Sequence, residues 1–166
     1  MALRVVDSTL PGYGIREALL DIPSVSINMP LADFINPPGG IYASPLNRVE
    51  KECSVEYLPV DGSEGFQADC KVEIQGNATR RPARMQKHSL RLTFSSQVGI
   101  PKLEYPLFPD SPVDKFNKLV LRACFSDSWG LVSWEAPRYP RNDAQYMRDV
   151  WMKRSFGAMG QPSSSG

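Results

Sequence analysis

FQADCKVEIQGNATRRPARMQKHSLRLTF, residues 66–94, holds the two clearest alternations in the chain. Phe66, Ala68, Cys70, Val72 and Ile74 fall on one side of residues 66–75. Gln67, Asp69, Lys71, Glu73 and Gln75 fall on the other. Side chains of a strand point to opposite faces in turn, so this pattern predicts an antiparallel sheet with one covered face and one polar face. Residues 87–94 repeat it. His88, Leu90, Leu92 and Phe94 form the apolar set, and Lys87, Ser89, Arg91 and Thr93 the polar set. Gly76-Asn77 turns the chain between them, followed by a basic run that contains Pro82.

Upstream, residues 52–58 place Cys53, Val55 and Tyr57 on one face, and Asp61-Gly62 gives a strong hairpin signal before residue 66. Residues 22–28 form a further alternating, β-branched strand. Residues 13–20 suggest a short helix and 31–35 a helical turn, which the NPPGG of residues 36–40 stops. Residues 41–43 are expected to form a short strand. Downstream, residues 98–111 are rich in turn signals. The apolar run 117–124 is expected to be a more buried strand, and residues 133–141, with two prolines, a loop. A helix is expected from Asn142, which can cap it with Gln145 completing a box. Met147, Val150, Trp151 and Arg154 then form a stripe that Gly157 or Gly160 ends. Strands first and one substantial helix last predict an α+β fold: an antiparallel sheet of four to five strands with one main helix packed on it.

The chain has 166 residues, 42% hydrophobic and 22% charged, which suits one folded domain or part of a larger one. A net charge of +1 provides no global attraction to nucleic acid or acidic membranes, so electrostatic partners must be read locally. Fifteen prolines and twelve glycines favour short strands and turns over a helical bundle. No apolar run approaches the roughly 20 residues of a membrane span, and no signal peptide is visible at the N-terminus. Cys53, Cys70 and Cys124 form no CxxC pair, and with one histidine a zinc site is not expected. Cys53 and Cys70 sit on apolar strand faces and read as buried free thiols, and the odd count argues against a disulfide framework.

Lys87 opens the second alternating strand, on the face that also carries Ser89 and Arg91. It has two readings: a solvated charge on a sheet, or a rigidly held cation aimed at nucleotide phosphates. Neither GxGxxG nor GxxxxGK[ST] is present, so spacing alone does not choose. Arg80, Arg81, Arg84, Lys87, His88 and Arg91 form a local basic cluster. No aromatic residue between Gln75 and Leu92 supplies a stacking platform, so nucleic acid is not the expected partner. His88 alternates with the apolar set and reads as a core histidine. Asp127 reads as a turn cap, and Asp149 either as a partner in the neighbourhood of Arg148 or as a helix-surface residue, neither with a partner evident from spacing.

KVEIQGNATRRPARMQKHSLRLTF resembles the CotH-like kinases, the spore-coat protein kinase family, in its order of strand, Gly-Asn-x-Ser/Thr, basic loop, Pro, Lys-x-Ser and strand. KLEYPLFPDSPVDKFNKLVLRACFSDSW resembles the following family segment, with a PLF turn, a strand ending Leu-Arg-Ala and an aspartate after it. AQYMRDVWMKRSFGAMGQPS is similar to the next helix with its Arg-Asp pair, and DIPSVSINMPLADFINPPGGIYASP to the leader of large bacterial members. The likeness spans roughly residues 15–163. It implies most of the N-terminal lobe of an atypical protein kinase. On that likeness residues 1–21 are a weakly patterned leader and residues 22–166 a partial kinase domain, truncated at its C-terminus before the catalytic and metal-binding aspartates.

The resemblance implies that Lys87 contacts nucleotide, with Gly76, Asn77, Ser89, Arg148 and Asp149 around it. It aligns Arg122 and Asp127 with family strand-end positions. No residue is assigned to catalysis or metal binding. The helix lacks the glutamate that usually holds a kinase-type lysine, so what orients Lys87 stays open. For the full-length parent the likeness implies ATP and Mg2+ as cofactors, a protein Ser/Thr acceptor, and a secreted or cell-surface location. The expected function is the nucleotide-binding lobe of a secreted kinase that transfers the γ-phosphoryl group, inactive as this piece alone. The alternative is a non-catalytic β-rich module for surface adhesion or assembly.

Overall fold

The computed structural model describes residues 11–12, 14–109, 111–128, 130 and 143–163. The first ten residues of the expected leader, the expected loop 133–141 and the expected cap Asn142 lie outside them. The order of elements is α1 (Ile15–Asp21), β1 (Ser24–Asn28), α2 (Leu31–Phe34), β2 (Lys51–Leu58), β3 (Phe66–Gln75), β4 (Ser89–Thr93), β5 (Leu103–Glu104), β6 (Lys115–Phe116), β7 (Lys118–Leu121) and α3 (Arg148–Ala158). Two 3-10 turns, Ala78–Arg80 and Phe125–Asp127, follow β3 and β7.

The fold is α+β. Five strands form one sheet in the order β1-β2-β3-β4-β7, and every neighbouring pair is antiparallel. β5 and β6 form a separate two-stranded ribbon. β5 lies in the turn-rich stretch 98–111 and β6 just after it, and strands of two residues leave too little alternation to read. β2 and β3 are joined at the expected Asp61-Gly62 turn, where Gly62 adopts φ +74° and the Ser63 amide donates to Asp61 Oδ1 at 3.0 Å. The register pairs Cys53 with Cys70, Val72 with Leu92 and Ile74 with Leu90, so the apolar set of each strand lands on one face.

Val55, Cys70, Val72, Ile74, Leu92 and Leu103 are fully buried. The apolar sheet face packs against Ile41, Phe34 and Tyr42 from one side of the chain and Leu103, Tyr105 and Phe116 from the ribbon. Residues 41–43 therefore cover the core as a turn and not as the expected strand. The amides of Ile41 and Tyr42 donate to the carbonyls of Asp33 and Phe34, each at 2.8 Å, and so are not free to join a sheet ladder. β7 also departs from expectation. It is an edge strand: Leu119 and Leu121 pack on the core, while Val120 alternates to the other face opposite Arg91 and is exposed.

No residue of α3 is buried. Trp151 is 62% exposed, and Met147, Met152, Phe156 and Met159 are exposed as well. The contacts that tie α3 to the end of β7 are polar. The helix begins at Arg148 and not at residue 142, because its first amide is capped by Asp127 from far upstream. It closes after Ala158, with Gly160 at φ +73° and its amide bonded to the Gly157 carbonyl at 2.9 Å.

Candidate functional site

The register puts the C-terminal end of β3, the N-terminal end of β4 and the C-terminal end of β7 at one end of the sheet. Gln75 pairs with Ser89, and Leu90 with Leu121. Gly76, Asn77, Lys87 and Ser89 follow or precede these strand ends. Arg122, Asp127, Arg148 and Asp149 continue from β7 into α3. The sequence-derived site residues therefore gather at this end, in two groups. The alternation expected to begin at Lys87 becomes a strand only at Ser89, and Lys87 stands just outside it.

The first group is held by a buried ion network. Glu73 lies on the β3 face that alternation marks as polar, yet it is 3% exposed. Arg80 Nη2 meets Glu73 Oε2 at 3.1 Å, and Arg91 Nη2 meets Glu73 Oε1. Arg80 also donates from Nε to the Gly76 carbonyl at 2.7 Å and from Nη1 to the Pro45 carbonyl at 3.1 Å. One buried guanidinium thus fixes the loop that leaves β3. Gly76 has φ +116°, and a Cβ there would collide with Thr79 Oγ1, so the turn requires glycine.

His88 ties this loop back to β4. Its Nδ1–H donates to the Thr79 carbonyl at 3.0 Å, which fixes the tautomer because a carbonyl only accepts. Its ring packs 5.2 Å from that of Tyr42. Burial pushes its pKa down from the usual value, and Arg80 adds to the effect, against the Thr79 hydrogen bond. His88 is the core histidine that its alternation predicts. With Arg80 and His88 buried and Arg91 paired, the basic cluster of residues 80–91 is not one exposed patch. Lys87 is exposed, and no ion pair or hydrogen bond engages it among the described residues.

The second group surrounds a shallow cleft of about 230 Å³, lined by Arg122, Ser126, Asp127, Arg148, Asp149 and Met152. Asp127 is buried, and its carboxylate accepts the Gln145 amide at 2.8 Å and the Arg148 amide at 3.1 Å, with Arg148 Nε 3.6 Å away. Burial works to raise its pKa, but these amides and the Arg148 guanidinium outweigh it and hold the carboxyl below its ordinary value. Asp149 meets Arg122 Nη1 at 3.3 Å and Lys153 Nζ at 3.2 Å. These partners were not legible from spacing, since the Asp127–Arg148 link spans 21 residues.

Cys124, which also lines the cleft, and Tyr146 take left-handed backbone angles, at φ +50° and φ +60°. The Cys124 thiol donates to the Tyr146 carbonyl at 3.9 Å, and the hydroxyls of Ser128 and Tyr146 are 2.9 Å apart. Between the two groups stands Ser89, whose Oγ accepts the Ala123 amide at 2.9 Å. That bond places the start of β4, two residues after Lys87, beside the β7 segment that leads to the cleft.

Cations outnumber carboxylates around the cleft, with Arg122, Arg148 and Lys153 against Asp127 and Asp149. The donor set suits an anion. It does not suit Mg2+, because Asp127 is committed to backbone amides, and no group of three or more His, Cys, Asp or Glu residues among those described could hold a metal. No helix among the described residues is long and apolar enough to cross a membrane. Compared with known families, curated proteins and solved structures, the chain matches none.

Proposed function

We propose that this end of the sheet binds the phosphates of a nucleotide, and that the chain is the nucleotide-binding lobe of a CotH-like kinase. The observation that supports this reading is the bond from the Ala123 amide to Ser89 Oγ, two residues after an exposed Lys87 that no ion pair or hydrogen bond engages among the described residues. The Lys87 ammonium, exposed just ahead of β4, and the Arg122 and Arg148 guanidinium groups that line the cleft are donors suited to phosphate oxygens. The Arg122–Asp149 pair is more than a third exposed on both sides, so an entering phosphate can exchange for the carboxylate at little cost. The left-handed Cys124 and Tyr146 are the kind of backbone outlier that clusters at ligand sites.

On this reading Lys87, Arg122 and Arg148 contact ATP, and the Gly76-Asn77 turn, held by Arg80, flanks it. Transfer of the γ-phosphoryl group to Ser or Thr of a protein needs a base and Mg2+ ligands that the described residues do not supply. A secreted or cell-surface location belongs to the same reading. Calorimetric titration with ATP tests it. Loss of one charge-assisted contact costs about 1.5–3 kcal/mol, so Lys87→Ala is expected to weaken binding by about tenfold or more. Equal affinity in the two proteins would overturn the proposal.

A second reading, a β-rich adhesion or assembly module, draws on the exposed Met147, Trp151, Phe156 and Met159. It predicts concentration-dependent association that Trp151→Ser weakens, with no response to nucleotide.

A further inference from the structure

We propose that Cys53 and Cys70 are an oxidisable dithiol, a modification site that closes into a cross-strand disulfide. The two residues face each other directly in the β2–β3 register, and their sulfurs are 3.6 Å apart. A disulfide needs about 2 Å between sulfurs and facing Cβ atoms; the register sets the two residues opposite each other, and χ1 rotation is what moves each sulfur toward its partner. Both lie in the apolar core cluster with Val55, Ala68 and Val72. Asp69 and Lys71, the charged residues on either side of Cys70 along β3, alternate to the opposite face. The inference is independent of the nucleotide reading, since the pair lies within the sheet and away from the end that gathers Lys87 and the cleft.

The chemistry is thiol–disulfide exchange with a low-molecular-weight disulfide. The Cys53 thiolate attacks one sulfur of the disulfide, forming a mixed disulfide and releasing one small thiolate. Cys70 then loses its proton and attacks Cys53 Sγ, expelling the second small thiolate. The chain gives up two electrons and two protons, and the small disulfide becomes two thiols. Cys53 suits the first step. It is the less buried of the two, and the hydrogen bond from Cys70 lowers its pKa, against burial and Asp69. The same hydrogen bond and burial raise that of Cys70. Burial of both thiols makes exchange slow, because the sheet must open locally to admit the oxidant.

The test equilibrates the folded wild-type chain with oxidised glutathione, then denatures, alkylates and maps peptides by mass spectrometry. The expected product is a Cys53–Cys70 disulfide with two hydrogens lost and no adduct on either residue, while half-buried Cys124 takes a single glutathione. A bridge enclosing the β2–β3 turn is expected to raise Tm by about 5–10 °C, reversed by dithiothreitol. Cys53→Ser and Cys70→Ser should each abolish both changes. Full alkylation of Cys53 and Cys70 after prolonged oxidation, or a bridge from either to Cys124, would overturn the proposal, and so would a bridge that lowers Tm.

Discussion

Asp127 and Arg148 are joined twice across 21 residues: the Arg148 amide donates to Oδ2 at 3.1 Å, and the Arg148 guanidinium Nε lies 3.6 Å from Oδ1. A buried carboxylate from the turn after β7 is therefore the cap of α3, and the helix owes its starting point to it. Since no residue of α3 is buried, this polar joint fixes the helix where packing does not.

Asp127→Ala is expected to cost about 1–2 kcal/mol, the usual scale for a lost helix cap. Urea denaturation reads the stability, and far-ultraviolet circular dichroism should show lost helix. The pH dependence follows from the depressed carboxyl. Its stabilisation is complete above the unfolded aspartate pKa of about 4 and disappears as pH falls through the lower folded value. Asp127→Asn should flatten stability across that acid window.

The Glu73 network should be far more sensitive. Glu73→Gln leaves the buried Arg80 without its counter-charge, at an expected cost of about 3–5 kcal/mol. Replacing both partners, Glu73→Met with Arg80→Met, should recover part of that loss, since no buried charge of this pair then remains unpaired. Urea titration of the single and double variants measures both.

His88 is the one histidine, so proton NMR follows it without assignment ambiguity. Its folded pKa should lie below 6.5. The depressed value makes its contribution complete above pH 6.5 and lost as pH falls through the folded pKa. His88→Gln should remove that component of the pH profile.

Trp151→Ser should change monomer stability by no more than about 0.5 kcal/mol, because the side chain is exposed. A larger loss in urea titration would mean that α3 packs through its apolar residues after all.

The sheet was legible because alternation at residues 66–75 and 87–94 names a face as well as a strand, and the Asp61-Gly62 turn fixes the pairing between β2 and β3. The same alternation misplaces Glu73. Period-2 reading marks it as solvated, but Arg80 folds back over it from the turn after β3 and Arg91 meets it from the facing position on β4. Residues 41–43 and the β5–β6 ribbon were hidden for a different reason. They cover the core through a few side chains from short segments, with Ile41 and Leu103 the most buried, that no periodicity announces. The site was half legible. Lys87, Gly76, Asn77 and Ser89 share one sheet end because they flank consecutive antiparallel strands, whereas the role of Asp127 arises from a contact too distant in sequence for spacing to suggest. The start of α3 was missed on the same account.

The most direct test of phosphate recognition is site-resolved acetylation of the lysines by an N-hydroxysuccinimide ester, read by mass spectrometry with and without millimolar ATP. Bound phosphates should slow acylation of Lys87 several-fold while exposed Lys102 and Lys118 keep their rates. An unchanged rate at Lys87 under saturating nucleotide would contradict the account.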